Sequence, residues 1–186
     1  MYPVNGKAEV EAEAEAKVVL ENIGKIYNEQ IVLDNFNATY LSGETYYLTS
    51  PSGSGKTTLL RILAGLTDAD SGSVQGVTCC SMVFQEDRLC EDYSAVKNVE
   101  LVLGNAESVV EALTKLLPSE SLQKPCRELS GGMKRRVALV RAMEADADVV
   151  LLDEPFTGMD AVTRRCAEDY IRERQGGRAI IIATHI

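Results

Sequence analysis

The sequence has no apolar stretch near the ~20 residues that a membrane-spanning helix needs. Its longest uninterrupted apolar runs, at 149–152 and 179–183, have the length of buried strands. The first residues, MYPVNGKAEVEAEAEAK, lack the apolar core of a secretory signal. We therefore expect a cytoplasmic chain that does not insert into lipid.

Cysteine and histidine are too sparse for a disulfide framework or a zinc cage. The five cysteines form an odd set without a Cys-x-x-Cys spacing, and the chain has a single histidine. We interpret the cysteines as reduced, mostly structural thiols.

Acidic residues outnumber basic residues in the chain as a whole. The 186 residues include 19 Lys and Arg against 28 Asp and Glu, which gives a formal net charge of −9. An acidic surface repels nucleic acid and anionic lipid, so neither is expected as the main partner. The pairs Arg135-Arg136 and Arg164-Arg165 lie on predicted helices, and we interpret both as solvated helix faces.

The sequence divides into a short acidic segment and one domain from residue 17 onward. That domain is long enough to bury a hydrophobic core. Within the first 16 residues, Glu9, Glu11, Glu13 and Glu15 alternate with small apolar residues. Period two is typical of a strand, but alanine and glutamate are poor strand formers and the like charges repel. We predict a flexible acidic tail at 1–16, with an extended strand start or an expression remnant as alternatives.

Apolar patterning in the domain predicts strands that alternate with helices. The predicted strands are 17–23, 36–41, 45–49, 81–84, 149–152 and 179–183. Helices are predicted after the loop at 50–55, ending near Gly65, and at 161–174, while 86–145 is mainly helical with interruptions at Pro118 and Pro125. Turns are predicted at 42–43 and 70–72. Short, continuous apolar strands between helices indicate an α/β fold, with a parallel sheet covered by helices on both faces.

The strongest signal for chemistry is the glycine-rich segment SPSGSGKTT at 50–58, between a predicted strand and a predicted helix. In a phosphate loop of the form G-x-x-x-x-G-K-[ST], backbone N–H groups and a helix N-terminus hold phosphate oxygens. Lys56 would reach the β- and γ-phosphates, and Thr57 would hold Mg²⁺. Ser50 replaces the first glycine of the motif, which would strain the turn if a positive φ is required. The remaining candidate nucleotide contacts in this loop are Ser52, Gly53, Ser54, Gly55 and Thr58.

Two carboxylates follow the apolar strand at 149–152. Asp153 would hold Mg²⁺ through water, and Glu154 would orient or deprotonate the attacking water. An acidic strand end that faces solvent is the alternative, and the presence of the phosphate loop in the same chain disfavours it.

The segment Leu129-Ser130-Gly131-Gly132-Met133 opens an amphipathic helix. Ser130 is a natural N-cap, and the two glycines expose N–H groups at the positive end of the helix. The segment therefore predicts a second anion site, although a capped helix start alone would explain the same residues.

Taken together, these motifs resemble the ATP-binding-cassette ATPases. The phosphate loop, Gln85 after a strand, LSGG, Leu-Leu-Asp-Glu-Pro and a strand ending in His185 occur in that family's order. The resemblance covers the chain from about Val18 to its last residue. It implies a P-loop (RecA-like) parallel-sheet core within 17–186, a small antiparallel β subdomain and a helical subdomain at about 86–145. It also implies a C-terminally short domain, because relatives continue with further strands and helices after the histidine.

The resemblance assigns roles to further residues. Gln85 would sense Mg²⁺ and the attacking water, and His185 would contact the γ-phosphate. Tyr27 would stack on adenine, unless it is an ordinary surface tyrosine. Asp160 would face a partner subunit, and Ser130, Gly131 and Gly132 would close on the ATP that this subunit binds. Two chains would thereby sandwich two ATP molecules head to tail.

The implied function is that of a Mg²⁺-dependent ATPase subunit, peripheral on the cytoplasmic face of the membrane, that powers solute transport by a separate permease. The helical stretch after Gln85 would supply the docking groove. The run LSGGMKRRVALVRAM resembles importer ATPases for nitrate, sulfonates or taurine. The alternatives are a soluble cassette ATPase that acts on ribosomes or DNA, and a nucleotide-binding module without turnover.

Overall fold

The computed structural model describes residues 16–104 and 106–185. Its strands are β1 (Ala16–Tyr27), β2 (Gln30–Leu41), β3 (Thr45–Thr49), β4 (Ser71–Gln75), β5 (Cys80–Val83), β6 (Val149–Asp153) and β7 (Ala179–Thr184). Its helices are α1 (Lys56–Leu63), α2 (Ala95–Leu103), α3 (Ala106–Thr114), α4 (Gly131–Glu144) and α5 (Ala161–Glu173). Short 3₁₀ turns occur at Ser119–Ser121 and Cys126–Glu128.

The strands form two sheets of different kinds. An antiparallel sheet has the order β2-β1-β4, and a parallel sheet has the order β3-β7-β6-β5. Within the described ranges, no helix is both long and apolar enough to span a bilayer.

The parallel sheet lies at the centre of the core. Alternate side chains of β6 and β7 belong to two different apolar clusters, as the period-two geometry of a strand requires. Val149 and Leu151 pack with α1 and the antiparallel sheet, whereas Val150 and Leu152 pack with α2, α3, α4 and α5. Full burial of such a side chain contributes about 1.5–3 kcal/mol relative to its exposure to water. The predicted parallel sheet with helices on both faces is confirmed.

The four parallel strands place their carboxyl ends at one edge of the sheet. In open α/β folds, ligands bind beyond this edge. The loop at 50–55 follows β3, the segment at 84–85 follows β5, and Glu154 and His185 follow β6 and β7. Four separate parts of the sequence therefore converge there.

Two local predictions are wrong. Ser71 and Gly72, predicted as a turn, are the first residues of β4, because β4 pairs with the distant strand β1 through Gly24 and Ser71. The predicted helical stretch begins only at Ala95, since the buried Asn98 side chain accepts from Cys90 N at 2.8 Å and holds the preceding segment as a loop. The predicted acidic tail lies outside the described residues, apart from Ala16 at the start of β1.

Candidate active site

The phosphate loop connects β3 to α1. Gly53 and Gly55 have φ angles of +80° and +90°, a left-handed conformation that glycine adopts without steric cost. Gly55 is also the N-cap of α1, and a Cβ there would lie 2.9 Å from the Val32 carbonyl oxygen. Ser50 does not have a positive φ, so the strain considered for this position is absent.

Lys56 folds back onto this loop. Its Nζ donates to the carbonyl oxygens of Ser50 and Pro51, the latter at 3.1 Å. The ammonium group is thereby held beside the backbone turn in which the motif places nucleotide phosphates.

The loop forms one wall of a cleft of about 490 Å³. The opposite walls come from the antiparallel sheet and from the carboxyl ends of the parallel strands. The cleft therefore brings together most of the predicted site. Its lining residues are Tyr27, Gln30, Val32, Ser52, Gly53, Ser54, Gly55, Lys56, Thr57, Thr58, Gln85, Glu154 and His185.

Glu154 has a left-handed backbone with φ of +53°, which is uncommon for a residue with a side chain and often marks a functional site. Its backbone N–H donates to the Ala183 carbonyl at 2.9 Å. Its Oε1 lies 2.9 Å from His185 Nε2. The carboxylate and the imidazole of these two strand ends thus form a pair at the cleft.

Asp153, the last residue of β6, is only 1% exposed. Its Oδ2 is buried and has no hydrogen-bond partner within the described part of the chain. A buried carboxylate oxygen without a donor is costly, and carboxylate oxygens are preferred ligands of Mg²⁺ or of its bound water. The carboxylate of Asp153 is therefore suited to a divalent cation, although Asp153 does not itself line the cleft.

The second predicted anion site lies apart from this cleft. Ser130 is the N-cap of α4, as predicted, and its Oγ accepts from Met133 N at 3.3 Å. Gly131 and Gly132 line a pocket of about 190 Å³ with Gly158, and Gln85 lines both this pocket and the cleft. A Cβ on Gly132 would lie 2.5 Å from the Gly158 carbonyl oxygen, whereas a Cβ on Gly131 would meet open space.

Asp160 also lies outside the cleft. Its carboxylate caps α5 by accepting from Thr163 N at 2.8 Å. This backbone hydrogen bond is the main reason why the pKa of Asp160 lies below its ordinary value.

Arg135 corrects the prediction of a solvated helix face. The side chain is 3% exposed and donates to backbone oxygens at the ends of β5 and β6. Arg136 is partly buried and donates to the Leu116 carbonyl at 2.7 Å, whereas Arg164 and Arg165 are exposed as predicted. Helical spacing alone did not reveal that carbonyl groups, rather than water, face this part of α4.

The fold and the cleft define a P-loop nucleotide-binding cassette. The family model described as "ABC transporter" matches residues 33–157. The chain belongs to this family, which confirms the resemblance found in the sequence.

Several similar curated proteins are named as importer or exporter ATP-binding proteins. The aliphatic sulfonates import ATP-binding protein SsuB 2 of Pseudomonas syringae pv. syringae is 40% identical, over 92% of this chain and 64% of its own length. The Nod factor export ATP-binding protein I of Cupriavidus metallidurans is 32% identical, over 89% of this chain and 62% of its own length. The chain thus spans less than two thirds of the length of these two relatives.

Solved structures give the same fold. The dimeric structure of MJ0796, described as a bacterial ABC transporter cassette, has a TM-score of 0.80 and 26% identity, and the match covers 91% of this chain and 88% of that one. A dimeric post-hydrolysis state of the same cassette, bound to ADP and Pi, has a TM-score of 0.81.

Proposed function

We propose that the chain is the ATP-hydrolysing subunit of a membrane transporter, and that it works as a head-to-tail dimer beside a separate permease. The observation that carries the proposal is the pairing of Glu154 with His185 in the same cleft as the phosphate loop. A module that only binds nucleotide has no need of a carboxylate–imidazole pair beyond the phosphates.

ATP would occupy the cleft with its phosphates on the loop at 52–58. Backbone N–H groups and the N-terminus of α1 would hold the phosphate oxygens, and Tyr27 would stack on the adenine. Lys56 would exchange the Ser50 and Pro51 carbonyls for the β- and γ-phosphates.

Mg²⁺ would be held by Thr57 and Gln85, and by Asp153 through water. When bound, the ion neutralises negative charge that develops on the phosphates. The buried Oδ2 of Asp153, which has no hydrogen-bond partner among residues 16–104 and 106–185, supports this assignment.

Glu154 would orient or deprotonate the water that attacks the γ-phosphate. His185 would contact the γ-phosphate, and its Nε2 already lies within hydrogen-bond distance of the Glu154 carboxylate. The left-handed backbone of Glu154 supports such a role, because strained conformations concentrate where a side chain must be aimed.

The separation of the two anion sites supports a dimer. Ser130, Gly131 and Gly132 lie outside the lining of the chain's own cleft, so they would contact ATP bound to a second subunit. Asp160 would face the same subunit. The dimeric assemblies of the similar cassette support this arrangement.

Solute import is the direction that the relatives favour. Several are named as aliphatic sulfonates import proteins, and the signature run suggested the same group. A small anionic solute of the sulfonate class is the proposed cargo. The segment between Gln85 and Leu129 is the proposed surface with which this chain would contact the permease.

The ribosome- or DNA-associated alternative gains no support, because the chain has a net charge of −9. The non-hydrolytic alternative loses one of its supports, since Ser50 is not strained.

Hydrolysis of Mg²⁺-ATP by the purified chain, followed over a range of protein concentrations, tests the proposal. We expect the rate per molecule to rise with concentration and then level off, because complete sites would form only when two chains associate. ATP binding without turnover at any concentration would favour the non-hydrolytic module. A constant rate per molecule would contradict sites shared between subunits.

A further inference from the structure

The guanidinium group of Arg135 lies where two strand ends and one helix meet. Arg135 is in the first turns of α4, the helix that Gly131 and Gly132 begin. Its side chain is only 3% exposed, and it makes hydrogen bonds with several acceptors inside the protein. An arginine has five N–H donors in a fixed planar fork, so it can join several acceptors with one rigid group.

One side of the fork holds the end of β6. Nε and Nη2 donate to the Glu154 carbonyl oxygen at 3.0 and 2.9 Å, and Nη2 also donates to the Asp153 carbonyl. On the other side of Glu154, its N–H is bound to Ala183 O. Hydrogen bonds therefore hold Glu154 at both its N–H and its carbonyl group. A strained left-handed backbone conformation persists only when the surrounding structure holds it in this way.

The other side of the fork holds the segment after β5. Nη1 donates to the carbonyl oxygens of Phe84 and Gln85 at 2.5 and 3.3 Å, and to Asp87 Oδ1 at 3.1 Å. The same guanidinium thus fixes the backbone of Gln85 relative to Glu154.

We propose that Arg135 is a positioning residue for hydrolysis. Its hydrogen bonds fix the backbone of Glu154 relative to the backbone of Gln85. They also connect both residues to the start of α4, where the partner subunit's nucleotide would bind. This inference rests on the proposed function and deepens it. A movement of the α4 N-terminus on dimer closure would reach Glu154 directly through this side chain.

Arg135→Gln tests the inference, with Arg141→Gln as a matched control. Arg141 lies on the same helix, is partly buried and donates to the carbonyls of Arg88 and Asp87, but within the described part of the chain no hydrogen bond joins it to Glu154. Since small misplacements of catalytic groups cost up to about 100-fold, we expect kcat to fall about 10- to 100-fold in Arg135→Gln. The affinity for ATP should stay within about twofold, since the hydrogen bonds of Arg135 go to Phe84, Gln85, Asp87, Asp153 and Glu154 rather than to the phosphate loop. Arg141→Gln should retain the wild-type kcat.

Arg135→Lys separates geometry from charge and guards against failure of the glutamine variant to fold. Lysine keeps the buried positive charge, but its single ammonium cannot bridge both strand ends. We expect a folded protein whose kcat is still reduced. A lysine variant with full kcat would overturn the positioning role.

His185 provides a readout that does not depend on turnover. It is the single histidine of the chain, so its ring-proton NMR signals report on one site next to Glu154. The signals should shift in Arg135→Gln and Arg135→Lys and stay in place in Arg141→Gln. Unchanged His185 signals in folded Arg135 variants would overturn the inference. If the wild-type chain does not hydrolyse ATP, the proposed function fails, while the His185 signals still decide the role of Arg135.

Discussion

Replacement of Glu154 by glutamine is expected to lower ATP turnover by about 10²- to 10⁴-fold, the usual contribution of a general base. Glutamine has nearly the same shape, but it cannot accept a proton from water. The phosphate loop is unchanged, so ATP binding should persist. Turnover measured under single- and multiple-cycle conditions, together with equilibrium ATP binding, checks both parts of this prediction.

Glu120→Gln is the control for Glu154→Gln. It makes the same chemical change at an exposed position in a 3₁₀ turn, outside the cleft. Its turnover should equal that of the wild type. A Glu154→Gln variant that still hydrolyses ATP at more than a tenth of the wild-type rate would contradict the role given to this carboxylate.

Replacement of Lys56 by alanine is expected to weaken ATP binding by about 10- to 100-fold, since a hydrogen bond to a charged group contributes about 1.5–3 kcal/mol. The Ser50 and Pro51 carbonyls that Lys56 contacts belong to a loop of mostly exposed residues, where water can replace the lost donor. The fold should therefore survive. Titration with a fluorescent ATP analogue and a thermal melt measure the two effects separately.

Lys124→Ala removes the same charge from an exposed position outside the cleft and serves as the control. It should bind ATP as the wild type does. Equal affinities in Lys56→Ala and wild type would show that the phosphates bind elsewhere.

The central strands could be predicted because their signal is local. β6 and β7 are continuous apolar runs up to their last residue, and a run buried on both faces needs little information from distant residues. β4 was missed because its sequence, SGSVQ, has little strand character of its own. Its pairing with β1, 50 or so residues earlier, makes it a strand, and such long-range pairing overrides local propensity.

The residues of the candidate site likewise fall into those that a local sequence motif predicts and those that only the folded structure reveals. Lys56, Asp153 and Glu154 stand in short motifs whose spacing reflects backbone geometry, so the sequence predicted them directly. The convergence of Gln85 and His185 on the cleft was implied by resemblance to a family. Arg135 and the left-handed backbone of Glu154 were not predictable, because the acceptors of the guanidinium are main-chain oxygens that carry no sequence signal.

The most direct test of the central claim, that two chains share each ATP site, is a mixture of two defective variants. Lys56→Ala impairs the phosphate loop. Gly131→Asp would place a negative charge at the second anion site, where a Cβ meets open space, and it leaves the phosphate loop of its own chain unchanged. Gly132 is unsuitable, because a side chain there would collide with Gly158.

At an ATP concentration that fills the wild-type cleft but not that of Lys56→Ala, each variant alone should be nearly inactive, and the mixture should recover up to about a quarter of the wild-type rate. Random pairing gives mixed dimers in about half of the assemblies, and each has one intact site of two. Recovery in the mixture is the result that shared sites require. Full activity of Gly131→Asp by itself, or a mixture no more active than its components, would contradict them.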